Sequence, residues 1–224
     1  MMPHDFSLNN YELLLQRALK EGYRFQTFAG YLAAPAPKAV LMRHDVDGSI
    51  RDAYAMWRAE RQLGVKATYF IRVHASGYNP FDKENSAALK EMASSGSEIG
   101  LHQEVSRYTQ GPRDGEELML REKQLLEAVA GCGIRGVSTH VPKRNRFVLT
   151  EDLLERCGFL YRAGADVFNR GGIFMSDSNR KWKPTSLGET IGRHVKIIAL
   201  VHPFWWLNPG VEAGKIRRFL AEGF

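Results

Sequence analysis

The sequence predicts a single α/β domain over residues 1–224, built as a parallel sheet or barrel of about seven strands. Apolar runs of strand length alternate with amphipathic segments of helical length. Three of the runs carry Asp or His at their C-terminal ends: RHDVD at 43–47, IGLH at 99–102 and ALVHP at 199–203. A chain of 224 residues is also of a usual length for one α/β barrel.

The first elements follow the helix–strand alternation closely. Residues 10–21 (NYELLLQRALKE) have the apolar spacing of an amphipathic helix, and a turn-rich AAPAPK segment follows. AVLMR at 39–43 is a short apolar run that enters a polar turn, as an inner barrel strand does. Residues 49–63 are predicted to form a helix with Ser49 as its N-cap. KATYFIR at 66–72 is the second predicted strand.

The next two units repeat this order. A predicted helix at 83–95 is followed by the strand SEIGLH at 97–102. A longer helix at 115–130 is followed by the strand IRGVSTH at 134–140. A glycine directly follows each of the two helices, which is a common signal for a helix C-terminus.

The helix–strand alternation is less regular in the last third of the chain. A helix at 150–157 leads to three strand-like runs, FLYRAG at 159–164, IFMSD at 173–177 and VKIIALVHP at 195–203. A last helix is predicted at 211–222. No internal repeat, low-complexity segment or linker interrupts the sequence, so we expect one domain.

The composition is that of an ordinary globular protein, with 44% hydrophobic and 25% charged residues. The net charge of +6 favours anionic partners, but the charge is spread along the chain. The densest basic clusters, at 143–146 and 180–183, are interpreted as solvated loops, with small anion patches as the alternative. No motif indicates nucleic-acid binding.

Cys132 and Cys157 belong to no CxxC or Cys/His pair, so we expect neither a disulfide framework nor a cysteine metal site.

The N-terminal segment MMPHDFSLNNYELLLQ has no apolar core of signal-peptide length. No apolar run of about 18 residues occurs elsewhere, so no membrane-spanning helix is predicted. We therefore expect a cytoplasmic protein, and its oligomeric state is left open.

Two aspartates two positions apart define the first candidate site. In an extended strand, Asp45 and Asp47 point to one face while His44 points to the other, toward the barrel wall. Two carboxylates so close repel each other unless a cation or a shared proton lies between them. A metal on one and a proton-transfer role for the other would remove that conflict. The alternative is a turn in which both side chains bond to backbone amides, which is common in DxDG sequences.

Two histidines stand at comparable positions. His102 ends the IGLH run, and His202 ends the ALVHP run, where Pro203 and aromatic residues follow. Each histidine alone is weak evidence for a functional site, because a single His at a strand end is often structural. Since parallel strands of a barrel end on one face, the two histidines and the two aspartates are expected to converge. Such a set favours a divalent metal and hydrolytic chemistry.

These motifs, in this order and spacing, resemble those of the NodB-homology polysaccharide deacetylases, carbohydrate esterase family four in the broad sense. The xHDVD form with IGLH and LxHP is most similar to a WbmS-like branch associated with O-antigen biosynthesis loci. The resemblance covers roughly residues 39–206. It implies a distorted (β/α) barrel, often with about seven strands, which agrees with the strand count above. It also implies a metal-dependent carbohydrate deacetylase.

The resemblance implies a role for each matching residue. Asp45 falls on the general base of the family, and Asp47 and His102 fall on metal ligands. His202 falls on the general acid. Leu200, two residues before it, falls on the position that lines the acyl pocket.

One position departs from the family pattern. The family usually has a second His four residues after the first, but residue 106 here is Ser. Catalytic zinc normally has three protein ligands, so another residue has to complete the set. We predict His140 as the third ligand, and Glu104 is the second choice. The third motif of the family falls near His140, which leaves open that this residue contacts substrate or lines the wall.

Three further features carry weaker expectations. Trp205 and Trp206 alternate in direction if the chain is extended, so one of them is expected to face a sugar-binding cleft, and Trp206 is the predicted substrate-binding residue. The segment Ser176-Asp177-Ser178 resembles one found in the same branch, without an assigned role. Arg162 and Asp166 lie near the fourth motif of the family and are interpreted as ordinary loop polarity.

The expected function is metal-assisted hydrolysis of an N-acyl amide on a sugar. The metal, expected to be zinc with cobalt or nickel as alternatives, would polarise the acyl carbonyl and lower the pKa of its bound water. Asp45 would accept the proton of the water, and His202 would protonate the leaving amine. The expected substrate is an intracellular precursor, such as an undecaprenyl- or nucleotide-linked sugar, whose phosphates suit the positive charge of the chain.

Two alternative functions are also compatible with the sequence. A related hydrolase could act on a small non-carbohydrate amide. A catalytically weakened carbohydrate-binding or assembly protein could keep the pocket without the metal, which the missing second His of the HxxxH pattern would favour.

Overall fold

The computed structural model describes residues 5–141, 147–212 and 214. The described strands are β1 (Arg24–Gln26), β2 (Ala39–Val46), β3 (Thr68–Ile71), β4 (Glu98–Gln103), β5 (Gly136–Thr139), β6 (Tyr161–Arg162), β7 (Ile173–Ser176) and β8 (Lys196–Val201). Seven of them form one curled parallel sheet in the order β6-β5-β4-β3-β2-β8-β7, and β1 pairs with the first half of β2.

Helices alternate with the strands along the described chain. They are α1 (Leu8–Lys20), α2 (Phe28–Ala33), α3 (Ile50–Gln62), α4 (Lys83–Ser94), α5 (Pro112–Ala130), α6 (Glu151–Arg156), α7 (Asp166–Asn169), α8 (Leu187–Thr190) and α9 (Pro203–Leu207). Ser49 caps α3 as predicted, because its side chain accepts a hydrogen bond from the backbone amide of Asp52. Within the described ranges, no helix combines the length and the apolar character needed to cross a membrane.

This architecture confirms the predicted distorted (β/α) barrel with about seven parallel strands. The differences from the sequence-based elements are local. β2 runs on to Val46, beyond the predicted end at 43, and the unassigned segment 24–33 forms most of β1 and α2. The chain after Val201 turns into a helix at Pro203. The predicted last helix at 211–222 lies outside the described residues, apart from 211, 212 and 214.

Alternate residues of the strands fill the barrel interior. Leu41 of β2, Phe70 of β3 and Ile198 of β8 pack there with Phe28 of α2 and Phe168 of α7. The neighbouring residues on the same strands point to the other face and join the larger core under the helices. The interior is thus filled, and the C-terminal ends of the strands are left for a site.

The outer face of β2 carries a buried polar group. Glu60 of α3 accepts hydrogen bonds from Tyr11 of α1 and Tyr69 of β3. Its carboxylate also lies 2.6 Å from Nε2 of His44. All four side chains are buried, and a buried carboxylate is costly unless its oxygens are paired. The network therefore favours the arrangement in which α1 and α3 cover this face, and His44 points away from the site as its place in the strand predicts.

Two glycines make room for the large interior side chains. A Cβ on Gly136 of β5 would lie 2.2 Å from the ring of Tyr161, and one on Gly100 of β4 would lie 2.6 Å from the ring of Phe70. The Tyr161 hydroxyl donates a hydrogen bond to Glu98 at 2.8 Å, which holds the ring in place. A larger residue at position 136 therefore has to displace a ring that is anchored at its far end.

Gly136→Ala should accordingly lower the free energy of unfolding by about 1–3 kcal/mol, the usual cost of overpacking a core. Urea denaturation of the purified protein measures the change. Gly133→Ala is the matched control, because a Cβ at Gly133 has no neighbour within 4 Å and should have little effect. Equal stability of the two variants would contradict this account of the barrel interior.

Candidate active site

Five side chains singled out in the sequence meet at one end of the barrel. Asp45 and Asp47 lie at the end of β2, and His102 lies near the end of β4. His140 and His202 directly follow β5 and β8. Because these strands are parallel, their C-terminal ends share one edge of the barrel, and residues far apart in sequence become neighbours.

Asp47, His102 and His140 form a group with the composition of a metal site. One ligand atom from each lies within 4.8 Å of the other two. Oδ1 of Asp47 is 3.4 Å from Nε2 of His102 and 3.6 Å from Nε2 of His140. This oxygen is buried and accepts no hydrogen bond from the described residues. One carboxylate and two imidazoles are a ligand set that divalent cations such as zinc commonly use, so the group fits a metal.

Both histidines are oriented through their second ring nitrogen. Nδ1 of His102 is hydrogen-bonded to Oγ of Ser138 at 2.6 Å. Nδ1 of His140 lies 3.0 Å from Oε1 of Glu104. With a proton on each Nδ1, each Nε2 keeps its lone pair for a metal. Glu104, the second choice for the third ligand, therefore stands behind His140 as its support.

The charges around this group favour the protonation states of ligands. Burial raises the pKa of Asp47, but the facing imidazoles, His102 first and then His140, lower it well below its usual range. For His102, burial lowers the pKa and outweighs the opposing effect of the nearby aspartates. Asp47 is therefore ionised and His102 neutral near pH 7, which are the forms that bind a metal.

Asp45 is held by an arginine of its own strand. Nε and Nη2 of Arg43 each donate to a different oxygen of Asp45, both at 2.8 Å. Burial raises the pKa of Asp45, but Arg43 and then His102 lower it by more, so the carboxylate is ionised. Its Oδ2 lies 3.5 Å from Nε2 of His102. Arg43 was not predicted as a site residue, although positions 43 and 45 share one face of the strand.

His202 is held by a carboxylate to which the sequence analysis gave no role. Nδ1 of His202 donates to Oδ1 of the fully buried Asp177 at 2.6 Å. Nε1 of Trp206 donates to the other oxygen, Oδ2, at 2.9 Å. Burial lowers the pKa of His202, but Asp177 raises it by more, to about 9. Nε2 of His202 lies 3.9 Å from Oδ2 of Asp47, so a protonated nitrogen faces the metal-binding group.

The expectation that Trp206 lines a substrate cleft is wrong. Its side chain is 1% exposed and packs on the rings of Phe6 and Tyr11. The prediction assumed an extended chain, whereas the chain turns helical at Pro203, so the alternation of a strand does not apply. The indole instead contacts Asp177 behind the histidine.

Leu200 and Arg162 differ in their relation to the site. Leu200 lies two residues before His202 on β8 and pairs in register with Arg43 of β2. Its side chain is nearly buried. Arg162 lies 3.6 Å from Glu151 of α6, on the outer side of the sheet.

A cavity of about 720 Å³ lies between the turn at 105–112 and the segment that enters α6. Thr109, Phe147 and Thr150 line it. Ser106, which stands where the family pattern has its second His, also lines this cavity. Asp47, His102 and His140 are not among its lining residues.

Comparison with protein-family models and with curated proteins gave no match for this chain. Solved structures, however, are similar. A chitin deacetylase from the fungal pathogen Colletotrichum lindemuthianum is 14% identical over 91% of this chain and 88% of its own, with a TM-score of 0.52. A peptidoglycan deacetylase from Bacillus subtilis is 13% identical over 84% of this chain and 86% of its own, with a TM-score of 0.52.

A CE4 family pseudoenzyme from Bacillus anthracis is also similar, at 17% identity over 75% of this chain and a TM-score of 0.52. The present chain spans 56% of the length of that protein. At such identities the likeness establishes the fold alone. The chain has the distorted (β/α) barrel fold of the CE4 polysaccharide deacetylases.

Proposed function

We propose that this protein is a metal-dependent hydrolase that removes an N-acyl group, such as acetyl, from a sugar or polysaccharide precursor. The observation that carries the proposal is the metal-binding group of Asp47, His102 and His140 at the end of the barrel. An ionised Asp45 and a protonated His202 contact this group, and each is held by a buried countercharge. The fold likeness to deacetylases of chitin and peptidoglycan supports the class of substrate.

Asp47, His102 and His140 would hold the metal through one carboxylate oxygen and two Nε2 atoms. When bound, the metal would polarise the acyl carbonyl and lower the pKa of a coordinated water toward neutrality. Zinc is our first choice, with cobalt and nickel as alternatives, because catalytic zinc is commonly held by three nitrogen and oxygen ligands from the protein.

Two residues of the chain would move the protons. Asp45, kept ionised by Arg43, would accept a proton from the attacking water as the bond from its oxygen to the acyl carbon forms. His202 carries a proton on Nε2 and would transfer it to the amine nitrogen as the carbon–nitrogen bond breaks. Asp177 would stabilise the protonated ring before that transfer. The products are a carboxylic acid and a sugar amine.

Leu200 would contact the acyl group, since it lies on the same strand face as His202 and next to Arg43. For the sugar, we propose a nucleotide- or undecaprenyl-linked precursor of a surface polysaccharide such as O-antigen. The net charge of +6 supports a substrate that carries phosphate.

A carbohydrate-binding protein without activity is the main alternative, and one protein of similar fold is described as a pseudoenzyme. The sequence basis for this alternative is Ser106 in place of a second histidine ligand. His140, with its Nε2 3.6 Å from Asp47, supplies an imidazole that Ser106 cannot, which weakens that basis.

A hydrolase of small non-carbohydrate amides is a second alternative. Assays that compare N-acetylhexosamine conjugates with small linear and cyclic amides as substrates distinguish it from the sugar hydrolase.

The metal-binding group predicts a change in metal content. The protein purified without chelator should carry about one divalent ion per chain, and His140→Ala should carry much less, because it removes one of three ligands. Elemental analysis after dialysis measures both. His194→Ala, at an exposed histidine outside the site, should bind metal like the wild type. Equal metal content in His140→Ala and wild type would remove His140 from the ligand set, and a metal-free wild type would contradict the hydrolase proposal.

A second prediction separates proton transfer from metal binding. Asp45→Asn should keep the metal and lower the turnover of an N-acetyl sugar by roughly 10²–10⁴, because it removes the proton acceptor and keeps the volume. Asp47→Asn should lose both metal and turnover, since a neutral amide is a poor ligand for these cations. Elemental analysis and amine release are measured on the same preparations. A fully active Asp45→Asn would show that another group is the base.

A third prediction concerns the support of His202. Trp206→Phe keeps an aromatic ring at this position but removes the hydrogen bond to Asp177. The kcat for an amide substrate should therefore fall about tenfold, the typical effect of one charge-assisted hydrogen bond. An activated ester should lose much less, because its leaving group needs no proton. Trp205→Phe is the control, since Nε1 of Trp205 is buried without a partner among the described residues. Equal losses on amide and ester would instead indicate general structural damage.

A further inference from the structure

A second imidazole–carboxylate pair lies outside the site described so far. Glu122 of α5 has 3% of its side chain exposed, and its Oε1 lies 3.2 Å from Nε2 of His74. Its other oxygen, Oε2, is buried and has no hydrogen-bond partner among the described residues. His74 lies in the segment after β3 and has 41% of its side chain exposed. A buried carboxylate thus stands directly behind an imidazole that faces solvent.

Stability alone does not account for this arrangement. Burying a carboxylate with a single partner costs more than burying an apolar side chain of similar size. What Glu122 does achieve is to orient the ring of His74 and to favour its charged form. The hydrogen bond to Glu122 raises the pKa of His74 above its ordinary value and outweighs the opposing effect of partial burial.

Two exposed side chains from the turn after β4 extend this surface. The ring of Tyr108 lies 4.6 Å from the ring of His74, centroid to centroid, and its hydroxyl donates to the backbone carbonyl of His74. The guanidinium of Arg107 lies 6.0 Å from the centre of the Tyr108 ring. We call His74, Arg107 and Tyr108 the rim cluster. It combines an imidazole whose charged form Glu122 favours, a guanidinium and an aromatic face.

The rim cluster adjoins the metal-binding group through one carboxylate. Nη1 of Arg107 lies 3.5 Å from Oε1 of Glu104, the same oxygen that contacts Nδ1 of His140. Arg72, two residues before His74, also pairs with Glu104, at 2.6 Å. The buried Arg72 is therefore balanced by Glu104 and Asp47. On the exposed side of this region, His74 and Arg107 present nitrogen atoms that can donate hydrogen bonds.

We propose that the rim cluster is a binding subsite for a phosphoryl group, and that the substrate is an N-acylated sugar carrying a phosphate or diphosphate. Charged nitrogen donors form strong hydrogen bonds to phosphate oxygens, and His74 and Arg107 present such donors at the edge of the site. The Tyr108 ring offers a face to an adjoining sugar or base. The substrate assignment rests on the proposed function, whereas binding of the phosphoryl group itself does not.

Calorimetry with the full chain as purified tests the subsite. The probes are uridine diphosphate glucose, geranyl diphosphate-linked glucose and methyl glucoside, which lack an N-acyl group and so report binding without turnover. We expect the wild type to bind at least one diphosphate sugar more tightly than methyl glucoside. His74→Gln should raise the Kd for that diphosphate sugar about tenfold, the effect of one lost charge-assisted hydrogen bond. His194→Gln, at an exposed histidine elsewhere, should leave the Kd unchanged.

Glu122→Gln should weaken binding in the same direction, because a neutral amide no longer favours the charged imidazole. If that buried substitution prevents folding, Tyr108→Leu, on the surface, provides the second variant and should also raise the Kd. Tighter binding of the uridine probe indicates a nucleotide-linked sugar, and tighter binding of the geranyl probe indicates a lipid-linked sugar. Both results support the phosphoryl subsite.

An unchanged Kd in His74→Gln, or equal binding of methyl glucoside and the diphosphate sugars by wild type, would overturn the proposal. Failure of the proposed function is a separate observation, since it would appear as no amine release from any N-acetyl sugar while binding of the diphosphate probes persists.

Discussion

Repulsion among buried carboxylates is the constraint on which the site depends. Four carboxylates lie at the C-terminal end of the barrel: Asp45 and Asp177 are buried, and Asp47 and Glu104 are largely buried. Two unit charges about 4 Å apart interact by about 4 kcal/mol at the effective dielectric of a protein, so none of these groups is free to stay ionised without a countercharge. Arg43 balances Asp45, Arg72 balances Glu104, and the protonated His202 balances Asp177.

Asp47 has only imidazoles among its ion-pair contacts with the described residues, and its Oδ1 accepts no hydrogen bond from them. Asp177 also faces an imidazole, but both of its oxygens accept hydrogen bonds, from His202 and Trp206. This difference supports the separate roles proposed for Asp45 and Asp47. Asp45 has both oxygens occupied by Arg43 and is kept an anion by that arginine, as the proposed proton acceptor has to be. Asp47 keeps an oxygen that an external cation could occupy. The two carboxylates lie two residues apart in sequence, and only the first is paired with Arg43.

The strand pattern predicts much of this site, because the direction of a side chain on a strand depends on local geometry. Alternation along β2 places Asp45 and Asp47 on one face, and parallel strands bring His102 and His202 to the same edge. The partners of these residues could not be derived in the same way. Asp177 reaches His202 through the pairing of β7 with β8, a tertiary contact between segments whose register the sequence does not reveal.

The direction of Trp206 was predicted wrongly for a different reason. Its predicted direction depended on an extended backbone, and the helix that starts at Pro203 turns the indole inward to Asp177. A proline at the first position of a helix is a usual start signal, so the sequence contained a reason to doubt the strand there. β1 and α2 escaped prediction because both are short and each buries a single large side chain, Phe25 and Phe28, whose packing is a tertiary contact rather than a pattern of the segment itself.

The proposal that His140 is the third metal ligand has a consequence for the loops around the site. In β4 and β5, His102 lies in register with Ser138, so His140 stands one step further along the inward face of the neighbouring strand. A ligand at the end of a strand is held by the ladder, and the backbone amide of His140 donates to the carbonyl of Gln103. A ligand at position 106 would instead have tied the turn after β4 to the metal. In the proposed ligand set that turn holds no metal ligand, and its residues Ser106 and Tyr108 instead line a cavity and contact the ring of His74. The proposed exchange of a loop ligand for a strand ligand would therefore separate metal binding from substrate binding at the rim.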